Sequence, residues 1–196
     1  MTRLVLASSS PYRRALLGRL QLPFEALAPQ VDEAAVKAAG GEPAEIAREL
    51  ARSKALAVAA TCDPGDAGYA VIGSDQVAAL DHRVLDKPGD AAGAIAQLTA
   101  LQGREHALLT AVAIATPDRL IEFLDVTRLC MRALAAAEIE RYVAAEQPFD
   151  CAGSYRIEGL GIALFAAIDG EDQTAIVGLP LLRLAAELRQ LGLAVP

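Results

Sequence analysis

Within seven residues, Ser8 to Arg14, the chain places three serine hydroxyls (Ser8, Ser9, Ser10) and then two guanidinium groups (Arg13, Arg14) directly after its first apolar run. Pro11 stands where a first helical residue belongs, Ser10 is a natural N-cap, and Leu16, Leu17 and Leu20 supply an inward face. The first turn of such a helix turns free N–H groups, hydroxyls and guanidinium forks toward a strand end. That set suits an anion, and a phosphate above all. An ordinary capped helix with solvated arginines fits the same letters, so the remaining chemistry has to decide.

Acids and further cations lie far along the chain. Val31-Asp32-Glu33 puts two carboxylates directly after a second predicted strand, and Val71-Ile72-Gly73-Ser74-Asp75 runs from a buried strand into another. Gly73 would let the backbone approach a ligand closely, and Asp75 then lies near a strand terminus, where α/β folds place their sites. A carboxylate that merely caps a turn reads the same way. Lys54 falls on or near the buried stripe Ile46, Leu50, Ala57 and Val58 of a predicted helix, where a lysine by default snorkels to the surface and otherwise reaches an internal anion. Lys87 sits beside Pro88 in an extended or turn segment. Glu33 and Asp75 offer oxygen ligands to a hard divalent cation, while Arg13, Arg14, Lys54 and Lys87 supply positive charge. This is the inventory of a metal-dependent phosphoryl or nucleotidyl hydrolase.

Such side chains need an alternating frame to bring them together. Strands are predicted over 3–7, 23–28, 69–74, 106–115, 120–132 and 161–168, and helices over 11–20, 43–60, 90–101, 135–146 and 180–191, which is an α/β pattern. Pro117-Asp118-Arg119 reads as a hairpin turn, so part of the sheet is antiparallel. At 196 residues the chain fits a single domain spanning 1–196, with 54% apolar residues for its core. No apolar run approaches the roughly 20 residues of a bilayer crossing, and no leader is apparent, so a cytoplasmic protein without membrane contact is expected. A net charge of −7 disfavours a broad grip on a nucleic-acid polymer but not on a small polyanion met by convergent cations. Cys62, Cys130 and Cys151 are too few and scattered for a disulfide framework, and His82 and His106 lack the partners of a zinc site. Nothing reads as a Walker motif, and Gly159-x-Gly161 reads better as a turn around a pocket wall than as a dinucleotide fingerprint.

The order of these fragments resembles the Maf-like nucleotide pyrophosphatases over nearly the full length. The matching motifs are Ser8-x-Ser10-Pro11-x-Arg13-Arg14, Val31-Asp32-Glu33, Ala51-Arg52-x-Lys54-Ala55, Gly73-Ser74-Asp75-Gln76-Val77, Lys87-Pro88, Ala152-Gly153-Ser154-Tyr155 and Val177-Gly178-Leu179-Pro180. The resemblance implies a twisted mixed β-sheet flanked by helices, with two lobes around a central cleft. It further implies hydrolysis of a nucleoside triphosphate between the α and β phosphates, with Mg²⁺ or Mn²⁺ as the cofactor. Asp75 matches the family's proposed proton acceptor and shares the metal with Glu33. Ser8, Ser10, Arg13, Arg14, Lys54 and Lys87 match the phosphate-binding positions.

Tyr12, Gln76 and Glu158 fall at positions where branches of the family differ, and together resemble the branch acting on 7-methyl-GTP. The chemistry agrees. N7-methylation makes guanine cationic, so Tyr12 would add cation–π attraction to stacking, and Glu158 would accept from the N1–H and exocyclic amine. A Tyr12 packed on its helix and a solvated Glu158 are the plainer alternatives. Tyr12 replaces the tryptophan expected in this branch, and Asp86 stands before Lys87 where glycine is usual. Rival readings are a pyrophosphatase for dTTP, UTP or modified pyrimidine triphosphates, and a nucleotide-binding regulator of cell division. A homodimer is a family-level expectation, to which Leu191 and Leu193 would contribute if exposed.

Overall fold

A computed structural model describes residues 2–62 and 68–195. In chain order its elements are β1 (Arg3–Ala7), α1 (Pro11–Gly18), β2 (Glu25–Leu27), α2 (Glu33–Ala38), α3 (Pro43–Ala59), β3 (Tyr69–Leu80), β4 (Arg83–Leu85), α4 (Ala91–Leu101), β5 (Glu105–Ala115), β6 (Leu120–Met131), α5 (Ala136–Glu146), β7 (Phe165–Asp169) and α6 (Leu181–Gln190). The seven strands form one mixed sheet in the order β2-β1-β3-β5-β6-β7, with β4 paired to β3. β1 runs parallel to β2 and β3, whereas β4 is antiparallel to β3 and β7 to β6. The fold is α/β, and no helix among the described residues is long and apolar enough to cross a membrane.

The chain divides into two compact units. The first comprises 1–76, 110–125 and 172–196, and the second 77–109 and 126–171. In the first, period-2 alternation sends Leu4, Leu6, Ala70 and Ile72 to one sheet face, where they join Leu16 and Leu17 of α1 and Leu181, Leu184 and Leu188 of α6 in one core. The opposite face receives α3. A Cβ on Gly73 would lie 2.2 Å from the Ala51 carbonyl oxygen and 2.5 Å from the Ala55 nitrogen. Gly73 therefore admits the helix, not a ligand as its sequence context suggests. Arg52 ties the same helix to β6 through a two-pronged pair with Glu122 at 3.0 and 3.1 Å.

In the second unit α4 packs against α5, and the buried His106 and Tyr155 form a ring cluster with the half-buried Phe165, centroids 4.9–5.9 Å apart. Gly159 and Gly161 flank the start of a 3₁₀ turn over Leu160–Leu164, which takes the first half of the strand predicted over 161–168.

Other departures have physical causes. β3 continues to Leu80 because Val77, Ala78, Ala79 and Leu80 are buried, so Asp75 lies inside the strand and not near its end. The short α2 and β4 lack an apolar stripe, and α2 buries none of its residues. Ala57 is only half-buried, and Lys54 and Ala55 take its place on the inner stripe of α3. Leu191 and Leu193 are half-buried against the core of the first unit.

Candidate active site

β1 pairs with β3 from Arg3↔Tyr69 to Ala7↔Gly73 and stops there. Beyond that register β3 continues without β1 as its parallel neighbour, and the next residues are Ser74, Asp75 and Gln76. The strand-end logic of α/β sites thus holds for β1, although Asp75 belongs to the interior of β3.

Alternation along β3 sorts these three side chains. Asp75 shares the face of Gly73 and so meets α3, where Lys54 lies within one turn of both Ala51 and Ala55. Lys54 Nζ donates to Asp75 Oδ1 at 2.6 Å and pairs with Glu33 Oε1 at 2.7 Å. Lys54 is buried, which overturns snorkelling and selects the internal-anion alternative. Glu33 arrives from α2, whose first turn is set by Asp32 accepting from the Ala35 N–H at 2.9 Å. One ammonium therefore joins two carboxylates that come from different elements. Burial pushes the Glu33 carboxyl up, but the hydrogen bond and charge of Lys54, with Lys37 and Arg13 beyond, outweigh it and leave its pKa below the ordinary value. Asp75 Oδ2 has no hydrogen-bond partner among the described residues.

Ser74 and Gln76 face the other way, toward the segment 174–178. Ser74 Oγ donates to the Gly178 carbonyl at 2.9 Å. Gln76 Nε2 lies among three acceptors, Thr110 Oγ1, Ala175 O and Ile176 O, at 2.9, 2.8 and 3.3 Å. Those acceptors decide which end of the amide carries nitrogen, and they leave Oε1 without a partner among the described residues.

α1 starts as its sequence requires, with Pro11 in the first turn and Ser10 Oγ accepting from the Arg13 N–H at 3.4 Å. Ser8, buried, accepts from the Ser10 N–H at 3.1 Å. Arg13 donates through Nε to the Gly178 carbonyl at 2.9 Å. Desolvation lowers its pKa, against the attraction of Asp75 and Glu33, so the guanidinium lies within electrostatic reach of both acids. Arg14 and Tyr12 are exposed, Tyr12 by 47%, and Tyr12 packs against no other ring among the described residues.

The first unit therefore brings together Ser8, Ser10, Arg13, Glu33, Lys54, Asp75 and Gln76. Lys87 and Glu158 are exposed residues of the second unit. Sequence reasoning did not single out Gly178 and Thr110 as site residues. The Val177-Gly178-Leu179-Pro180 motif was a signal for the first, whereas Thr110 lies unmarked within an apolar strand.

The donor set bears on a cation. Two hard carboxylates held at a common positive charge fit Mg²⁺ or Mn²⁺, which take one or two protein carboxylates and leave other positions to water and phosphate oxygens. No larger cluster of His, Cys, Asp or Glu that could hold a metal occurs among the described residues.

Residues 3–191 match a family model described as Maf-like protein. A 7-methyl-GTP pyrophosphatase of Xanthomonas axonopodis pv. citri (strain 306) is 53% identical over 196 residues, covering all of both chains. A protein of the same name from Xanthomonas oryzae pv. oryzae (strain MAFF 311018) is 52% identical, again over the whole of both chains. Among solved structures, a nucleoside-triphosphatase/dITP/XTP pyrophosphatase from Mycobacterium abscessus aligns with a TM-score of 0.40 at 18% identity, over 68% of this chain and 76% of that one.

Proposed function

The chain belongs to the Maf-like protein family, and from that premise we propose that it hydrolyses 7-methyl-GTP to 7-methyl-GMP and pyrophosphate. The observation that carries this reading is Lys54 Nζ lying between Glu33 and Asp75, with Arg13 in electrostatic reach of both acids. Full-length relatives bearing that enzyme name support the substrate.

Asp75 Oδ1 is engaged by Lys54 while Oδ2 has no hydrogen-bond partner among the described residues, so Oδ2 is the atom that takes a proton from the attacking water. The water oxygen bonds to the α-phosphorus, and the bond from that phosphorus to the α–β bridging oxygen breaks. Pyrophosphate leaves with the bridging oxygen. Arg13, held by its Nε, turns its terminal nitrogens to the phosphates, and within the same unit Arg14 and the hydroxyls of Ser8 and Ser10 add further donors. A divalent cation bound by Glu33 and Asp75 would neutralise phosphate charge and polarise the reacting phosphoryl group. Lys54 balances the charge of the two acids.

For the base, the exposed Tyr12 ring offers a stacking face, with about 1–2 kcal/mol of cation–π attraction for a methylated, cationic guanine. Gln76 Oε1 is an acceptor of fixed orientation in the same unit, and the family resemblance makes Glu158 the candidate for a charge complementary to that base. A panel of 7-methyl-GTP, GTP, dTTP and UTP with Mg²⁺ or Mn²⁺ tests the assignment by pyrophosphate release. Highest kcat/KM on 7-methyl-GTP is the expected result, and preference for a pyrimidine triphosphate overturns it.

A further inference from the structure

Two hydrogen bonds converge on one backbone oxygen of the first unit. The Gly178 carbonyl accepts from Arg13 Nε and from Ser74 Oγ, each at 2.9 Å, which uses both of its lone pairs. Ser74 is wholly buried and immediately precedes Asp75. The residue proposed to take the proton and the arginine proposed to hold the phosphates are thus separated by one peptide unit, one hydroxyl and one shared oxygen.

The segment bearing that oxygen is itself restrained. Ala175 O accepts from Thr110 Oγ1 at 3.0 Å and from Gln76 Nε2 at 2.8 Å. Thr174 is fixed at the preceding position, its N–H donating to Asp172 Oδ1 at 2.8 Å and its Oγ1 accepting from the Leu181 N–H at 2.8 Å. Asp172 Oδ2 in turn accepts from the Leu182 N–H at 2.6 Å at the start of α6. Gly178 has φ +113°, where a side chain is strained, and an added Cβ would lie 3.3 Å from Arg13 Nε. The guanidinium is a rigid planar fork, so one bond at Nε restricts where both terminal nitrogens point.

We infer that Ser74, Thr110 and Gly178 are positioning residues for Arg13, tying the guanidinium to the strand that carries Asp75 so that phosphate contacts and proton transfer are aligned together. The inference rests on the proposed phosphate role of Arg13. None of the three needs to touch the nucleotide.

Ser74→Ala, Thr110→Val and Gly178→Ala, each made in the wild-type and the Arg13→Ala background, test it. The readouts are kcat and KM for 7-methyl-GTP, the affinity for inorganic tripolyphosphate, and the unfolding midpoint. With Arg13 present, each substitution should lower kcat/KM roughly tenfold or more, as expected for a misplaced catalytic contact. In the Arg13→Ala background the same substitutions should change it less than about twofold, because nothing remains to position. Equal factors in both backgrounds would reveal a merely structural role and overturn the inference. Should Ser74→Ala fail to fold, Thr110→Val and Gly178→Ala carry the same cycle from the other end of the restraint. If the wild-type protein leaves 7-methyl-GTP intact, the functional reading falls alone, and the cycle is judged on tripolyphosphate affinity. If Arg13→Ala leaves tripolyphosphate affinity unchanged, the positioning inference falls as well.

Discussion

Lys54 Nζ lies 2.6 Å from Asp75 Oδ1, and both side chains are buried. Removing one member of a buried pair strands the other charge, at a cost of about 3–5 kcal/mol. The cost should be unequal here, because Lys54 has a second acid in Glu33 whereas Lys54 is the one hydrogen-bonded cation of Asp75 among the described residues. Lys54→Met should lower unfolding stability by about that amount, and Asp75→Asn by clearly less. Urea unfolding of the two variants measures this, and a larger loss for Asp75→Asn contradicts the arrangement.

Gly73→Ala probes the same pair from behind. Its Cβ would meet backbone atoms of α3 at 2.2 and 2.5 Å, and these cannot rotate aside. The helix must shift, taking Lys54 with it, at a cost of about 1–3 kcal/mol or more for overpacking. Lower thermal stability together with lower kcat is expected. A variant with wild-type melting and turnover would show that the close approach is unimportant.

Histidine 106 sets a pH dependence in the second unit. Burial pushes its pKa down to about 4, and its Nδ1 has no hydrogen-bond partner among the described residues. A histidine with a depressed folded pKa contributes stability above its unfolded value, near 6.5, and this is lost as pH falls toward 4. The full effect is about 3 kcal/mol. The lowered Glu33 carboxyl acts in the same direction, its contribution fading as pH falls through its folded pKa. Denaturation midpoints between pH 7.5 and 4 should decline for the wild-type protein and decline less for His106→Gln. Parallel curves would remove His106 as the source.

Glu33→Gln addresses the cation. Loss of one of two carboxylates should weaken Mn²⁺ binding, followed by its paramagnetic signal, by roughly 10–100-fold. Chelation should stop pyrophosphate release, and added Mg²⁺ or Mn²⁺ should restore it. Unchanged Mn²⁺ affinity in Glu33→Gln would place the cation elsewhere.

Base choice is tested by Tyr12→Arg combined with Glu158→Gln. A cationic ring has no cation–π gain on arginine and loses a carboxylate partner, so the preference for 7-methyl-GTP over GTP should drop about tenfold. An unchanged ratio would assign discrimination to other residues, with Gln76 the first to examine.

Much of this was readable from local sequence. Ser10-Pro11 opens α1 where the cap and the proline φ require, and the apolar spacing of 43–60 identifies α3 to within one residue of its end. What local pattern could not carry was the partner of each polar group. Ser74 and Asp75 interrupt an apolar run and so resemble a strand end, yet both continue β3 because each finds a buried acceptor or cation on its own face. Lys54 on an apolar stripe resembles a snorkelling side chain until the two acids, one on α2 and one on β3, are seen at its tip. Thr110 reads in sequence as one more β-branched strand residue beside Val112 and Ile114, and its contacts with Ala175 O and Gln76 Nε2 give it a role.

Asp75 is proposed to activate water for attack on the α-phosphorus of 7-methyl-GTP. Hydrolysis in ¹⁸O-labelled water, with products analysed by mass spectrometry for the wild-type protein and Asp75→Asn, addresses it directly. The predicted result is label in 7-methyl-GMP and none in pyrophosphate, with the Asp75→Asn rate reduced by about 10²-fold or more. Label in pyrophosphate, or an undiminished rate in Asp75→Asn, would contradict it.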